Sequence, residues 1–112
     1  MRIVFLVFAL ITPAYSFTGF SYEHWLAQYE DTDTRSVAES FIYGIATGVS
    51  SASAYQENVG GAKIICRGEE LFFPDDIARM TAEYVARRPR MSDLPLSIPV
   101  ILALIEAFPC EK

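Results

Sequence analysis

One histidine, one tryptophan and two cysteines in 112 residues leave little material for metal or redox chemistry. With Cys66 and Cys110 expected to be oxidised, His24 has no partners for a metal-ligand set, and the scattered acids contain no EF-hand loop. A nucleophilic cysteine with His24 as its base lacks any further general-base candidate placed by a motif. No glycine-rich phosphate loop is present: Gly60-Gly61 precedes no helix carrying a lysine and reads as a turn. Positive charge is also scarce, with 9 Lys and Arg against 14 Asp and Glu and a formal net charge of −5. The cluster Arg87, Arg88 and Arg90 therefore reads as a solvated helix end rather than a nucleic-acid or anion site. Neither internal repeats nor low-complexity tracts occur. The expectation is a protein with no catalytic residues, no metal and no cofactor.

The hydrophobic content is 52%, too high for a disordered acidic chain, and the length allows one domain but no nucleotide-binding fold or barrel enzyme. Only one long apolar run is found. Met1-Arg2 is a basic start, Ile3 to Ile11 is unbroken and apolar, Thr12-Pro13 breaks the run, and Ala14-Tyr15-Ser16 carries small residues where a signal peptidase reads. Residues 1–16 are thus expected to be a cleavable secretory signal, leaving a domain over 17–112. The run is far short of the roughly 20 apolar residues of a membrane span, so no stable membrane anchoring is expected after cleavage. Export would place the two cysteines in an oxidising compartment with one intramolecular pairing open to them, Cys66 with Cys110. Such a bridge closes a loop of about 45 residues, for which the chain-entropy estimate is roughly 4 kcal/mol.

The remaining pattern is helical. Phe17 to Tyr29 suggests a short amphipathic helix or an arm packed on the main body. Ser36-Val37-Ala38-Glu39 has the form of a capping box and predicts a helix start. Val37, Phe41, Ile45 and Val49 then recur along one side of a helix to about Ala54. Gly44, Gly48 and Ala52 form a second stripe, of small residues that permit close backbone approach. The stripe suits tight packing inside the monomer, with a homodimer contact as the alternative. From Gln56 to Phe73 the periodicity stops. Pro74 suits the first turn of the next helix, with Asp75-Asp76 at its positive end, a buried face of Ile77, Met80, Tyr84 and Val85, and a stop at Pro89. Met91 to Asp93 reads as a turn. Ser97 is a candidate N-cap for a helix over Ile98 to Phe108, apolar nearly all round and expected to be central. The fold class is all-α, a small disulfide-stapled bundle of three to four helices. Glu57, Glu69, Glu70, Asp75 and Asp76 fall in or beside the one long connection and are expected to give that end a negative face able to steer a basic partner.

Beyond these physical readings, several short segments carry a resemblance. Phe41-Ile42-Tyr43-Gly44-Ile45-Ala46-Thr47-Gly48-Val49, Ile65-Cys66, Pro74-Asp75, Tyr84-Val85 with Arg88-Pro89, and the closing Glu106-Ala107-Phe108-Pro109-Cys110 occur in a characteristic order. In that order they resemble the Rap/Tai family of type VI secretion amidase immunity proteins, over roughly residues 36 to 110. The resemblance implies a small helical periplasmic protein, often a homodimer, that neutralises a peptidoglycan-cleaving amidase by occupying its active-site groove. Members commonly carry a second cysteine pair, which this sequence lacks; Pro99 also falls at the start of the last helix. The other function open to a small exported helical protein with one disulfide is that of an acid-stress chaperone of the HdeA-like kind, which exposes apolar surface when its acids are protonated.

Overall fold

Ser21 starts the first helix: its backbone is extended and its hydroxyl accepts a hydrogen bond from the His24 amide at 3.2 Å. The fold is that of a computed structural model, which describes residues 20–66 and 73–110. The signal reading of residues 1–16, and Glu69 and Glu70, lie outside the described residues. Four α-helices are present among the described residues, α1 (Tyr22–Glu30), α2 (Arg35–Asn58), α3 (Pro74–Arg87) and α4 (Ser97–Ala107), with a 3-10 turn at Pro89–Asp93. The only pairing of extended backbone among them is an isolated antiparallel bridge between Ser21 and Pro95. No helix among the described residues is long and apolar enough to cross a membrane.

The Ser36–Glu39 capping box does not form. The turn after α1 is closed by the Asp31 carboxylate, which accepts from the Asp33 amide at 3.0 Å, and by the Thr34 amide, which donates to the Asp31 carbonyl at 3.0 Å. That turn delivers the chain to helical geometry at Arg35, so Ser36 is already inside α2. Glu39 pairs instead with Arg35, one turn back, at 3.7 Å.

The inward face of α2 is Ala38, Ile42, Ala46, Val49 and Ser53. Of the apolar series read from the sequence, only Val49 is buried, while Val37 and Phe41 stand half exposed. Two alanines in the core register explain the shift, because they let α1 and the neighbouring helices come close where larger side chains would hold them away. Gly44 and Gly48 also face outward. A Cβ on either would meet nothing within 4 Å, and Ala52 is exposed, so the small-residue stripe packs against no other element of the described monomer.

Past Ala54, α2 continues to Asn58 and ends where Gly60 takes a positive φ of 85°. The returning chain is then fixed by one side chain. The buried Ser53 hydroxyl accepts from the Ile64 and Ile65 amides at 2.9 and 3.1 Å and donates to the Ile65 carbonyl at 2.9 Å, using its one donor and both acceptor positions. Ile65 is thereby buried, and the next residue, Cys66, forms the disulfide with Cys110 across a Cα–Cα distance of 5.1 Å.

Pro74 occupies the first turn of α3 and Asp75 and Asp76 follow it. Its buried face is Ile77, Ala78, Thr81, Tyr84 and Val85, whereas Met80 is only partly buried. Leu96, not Ser97, caps α4, because its amide is drawn to the Phe20 carbonyl at 2.9 Å, tying the start of α4 to the start of α1. α4 buries Pro99, Val100, Ala103 and Leu104 but leaves Ile98 and Ile105 exposed, so it is one wall of the bundle rather than its centre. The centre is shared: Trp25, Ile42, Ile77, Val100 and Leu104, one or two from each helix, are fully buried.

Candidate functional site

Glu57 and Asp75 do not share one patch. Asp75 accepts a hydrogen bond from the Tyr29 hydroxyl at 2.6 Å, and the Arg35 guanidinium lies over the Tyr29 ring at 4.1 Å from its centroid. Asp75 therefore sits beside the N-terminal end of α2. Glu57 lies at the other end of the same helix, paired with Lys63 at 3.6 Å. At about 1.5 Å per residue, Arg35 and Glu57 are about 33 Å apart along the axis. The expected single negative face, with Glu57 in it, is corrected accordingly: Glu57 and Asp75 lie beside opposite ends of α2 and are distant in space.

What the fold does assemble is a groove between α1 and α3. Its floor is Tyr22, Trp25 and Tyr29, its rim carries Asp75 and Arg79, and its volume is about 250 Å³. Trp25 is sandwiched within α1, its ring 4.9 Å from Tyr29 and 5.7 Å from Tyr22, and its indole N–H donates to the Ala38 carbonyl at 2.8 Å. Burial and the bond to Asp75 push the Tyr29 hydroxyl above its ordinary pKa, so it stays a donor. Asp76 pairs with Arg79 of the same rim, at 3.5 Å. Tyr29 and Arg35 are site residues that no motif signalled. An aromatic one turn after Trp25 was visible, but its partner 46 residues on was not.

The C-terminal end of α3 holds the basic cluster, and two of its three arginines are not simply solvated. Arg87 and Arg88 both pair with Glu106 of α4, the latter at 3.3 Å, and Arg88 also lies over the Tyr84 ring at 4.4 Å. They join α3 to α4. The bond from Arg87, aided by Arg88, holds the Glu106 carboxyl below the usual range. A carboxyl with a lower pKa folded than unfolded adds stability above its unfolded value, and that stability is lost as pH falls through the folded value. Between about pH 5 and pH 3 the parent should lose more stability than Glu106→Gln, and less so in high salt because the pair is exposed. Denaturant titrations at both pH values measure this; parallel losses would show that the pair has no part in the acid limb.

Among the described residues, no group of three or more His, Cys, Asp or Glu is gathered in a way that would hold a metal ion. Compared with models of known protein families, with curated proteins and with solved structures, the chain gives no match.

Proposed function

We propose that the chain is a periplasmic immunity protein, one that binds a peptidoglycan amidase delivered by type VI secretion and blocks it sterically. The observation that carries this reading is that three of the segments behind the sequence resemblance, the glycine-bearing helix, Ile65-Cys66 and the closing segment, are joined in space. The glycine-bearing helix holds Ile64 and Ile65 through Ser53, and Cys66 is joined to the closing segment twice, by the disulfide to Cys110 and by its amide to the Phe108 carbonyl at 2.9 Å. An inhibitor that works by occlusion needs a body that does not yield and a surface that fits, and no reacting group of its own. The staple supplies the first. For the second, the N-terminal end of α3, with Asp75, Asp76 and the α1–α3 groove, is the contact surface; Glu57 is too distant to share it, and Glu69 and Glu70 precede it in the chain.

The test is peptidoglycan hydrolysis by a type VI amidase encoded in the same genome, titrated with the full chain under oxidising conditions. Equimolar chain should abolish hydrolysis. Asp76→Lys should slow association and flatten its salt dependence, because a rim charge acts mainly on encounter, whereas Glu57→Lys should change neither. Undiminished hydrolysis at a tenfold excess of chain would overturn the proposal.

A further inference from the structure

The floor of the α1–α3 groove carries a polar group that the fold itself does not use. Tyr22 is only 5% exposed, its ring lines the groove, and its hydroxyl makes no hydrogen bond among the described residues. Burial and the charge of Glu30 push its pKa above the ordinary value, so the group stays a neutral hydroxyl with its acceptor positions open. Tyr29, two turns on in the same floor, is the contrast, because its hydroxyl is already held by Asp75 at 2.6 Å. A nearly buried polar group without a partner is costly, and this one lines a space of about 250 Å³ rather than a packed core.

The charges around the groove are unevenly matched. Arg79 lies between Asp76 and Glu83, at 3.5 and 3.8 Å, and Arg35 pairs with Glu39 at 3.7 Å. Both cations therefore have anionic partners. Asp75 makes no ion pair among the described residues; its close partner is the neutral Tyr29 hydroxyl, and Arg35 acts on it only at longer range. Glu30 likewise makes no ion pair among the described residues. The unanswered charge at this groove is negative, as is that of the whole chain at −5.

We infer that the α1–α3 groove is a socket for one arginine side chain of a protein partner. Its aliphatic stem would lie on Leu26, Ala78 and Ala82, with the guanidinium donating to the Asp75 carboxylate and to the Tyr22 hydroxyl oxygen. The space is smaller than the roughly 300–1,000 Å³ of sites for drug-sized ligands, and so suits a single anchoring residue. Arginine fits better than lysine because its planar fork offers five donors to two separate acceptors, and it gives up its hydration more readily than an ammonium. An arginine seated in a desolvated pocket is also a common energetic centre of protein interfaces. That the side chain belongs to the amidase rests on the immunity reading; that the groove takes such a side chain does not.

The test is a titration of the full, disulfide-bonded chain with N-acetyl-arginine methylamide, followed by the methyl chemical shifts of Leu26, Ala78 and Ala82. These shifts should move and saturate with a Kd of roughly 1–10 mM, the strength of a lone anchor without its protein. The lysine analogue should bind more weakly, and the norleucine analogue, a stem without a charged head, at least about tenfold more weakly. Asp75→Asn keeps an acceptor for the Tyr29 hydroxyl but removes the charge, and should also weaken binding at least about tenfold. Tyr22→Phe gives opposed readouts. With no internal bond to lose, its thermal midpoint should hold or rise, while binding weakens about threefold to tenfold. Shifts unchanged at about 50 mM probe would overturn the inference. So would a lysine or norleucine analogue bound as well as arginine, binding indifferent to Tyr22→Phe, or a midpoint lowered by that variant. Free arginine bound about tenfold more tightly than the capped form would overturn it as well, since Arg79 would then hold a carboxylate and the site would be one for an amino acid. The titration contains no amidase: a chain that binds the probe but leaves hydrolysis undiminished loses the immunity reading and keeps the socket, and the reverse result does the opposite.

Discussion

Reduction of the Cys66–Cys110 bridge is expected to destabilise the fold by about 4 kcal/mol, the chain-entropy value for a cross-link spanning 44 residues. Domains of this size have total stabilities of about 5–15 kcal/mol. At roughly 4–8 °C per kcal/mol, the thermal midpoint should fall by about 15–30 °C. The magnitude depends on what else holds the bridged segments. Without the bridge, Ile64 to Cys66 remains attached through the three hydrogen bonds of Ser53 and the bond from the Cys66 amide to Phe108. These are bonds of about 0.5–1.5 kcal/mol net each, and they act only once the segment has been brought into place. The bridge acts on the unfolded chain and removes the need to search for that placement. The check is denaturant unfolding of the oxidised chain beside Cys66→Ser with Cys110→Ser. A loss below 1 kcal/mol would show that the Ser53 clamp carries the segment by itself.

The same segment shows where the sequence was readable and where it was not. The pairing of the two cysteines followed from their number and from the expected export. Helix positions followed from local rules: Pro74 at the start of α3, Pro99 in the first turn of α4, and the polar break at residues 31–34. What local rules do not contain is which face of a helix is turned inward when more than one stripe is apolar. On α2 the series Val37, Phe41, Ile45 competed with Ala38, Ile42, Ala46, and the smaller series is the buried one. Area alone favours burying the larger side chains. Close packing of the four helices favours the smaller. Of the larger stripe, Val37 and Phe41 are left half exposed and Ile45 is only partly buried.

A similar reason lies behind the divided acidic surface. Glu57 and Asp75 flank one connection in sequence, and proximity along the chain was the only guide to their proximity in space. The helix between Arg35 and Glu57 separates the two acids by about its length, since Asp75 lies beside its N-terminal end. Conversely, Tyr29 and Asp75, far apart in sequence, are joined because α1 and the start of α3 both meet the N-terminal end of α2. Serine at position 53 was legible only as a polar residue on an apolar side. Its role as the acceptor of two loop amides depends on a chain segment that periodicity could not place.

Replacing Trp25 with alanine is expected to cost about 3–5 kcal/mol, the range for removing a fully buried large aromatic. Trp25 is how the shortest helix is held. α1 has nine residues, too few to be stable alone, and apart from Tyr22 it buries no other side chain completely or nearly so. The indole fills the space over Ala38, which its N–H also bonds, and the ring stacks against Tyr29, whose hydroxyl in turn holds Asp75. Its loss should therefore release α1, expose Ile42 from above, and remove the groove floor together with the Tyr29 contact to α3. Trp25→Phe separates the two contributions. It keeps an aromatic ring in the core and deletes one hydrogen bond to a carbonyl that the helix already uses, so its cost should be nearer 1–2 kcal/mol. Urea unfolding followed by far-ultraviolet circular dichroism measures both variants without relying on the missing fluorophore. Equal costs for the two would assign the stabilisation to the hydrogen bond. A cost under 1 kcal/mol for Trp25→Ala would mean that α1 is not part of the cooperative unit, and the α1–α3 groove would then be no fixed surface for a partner.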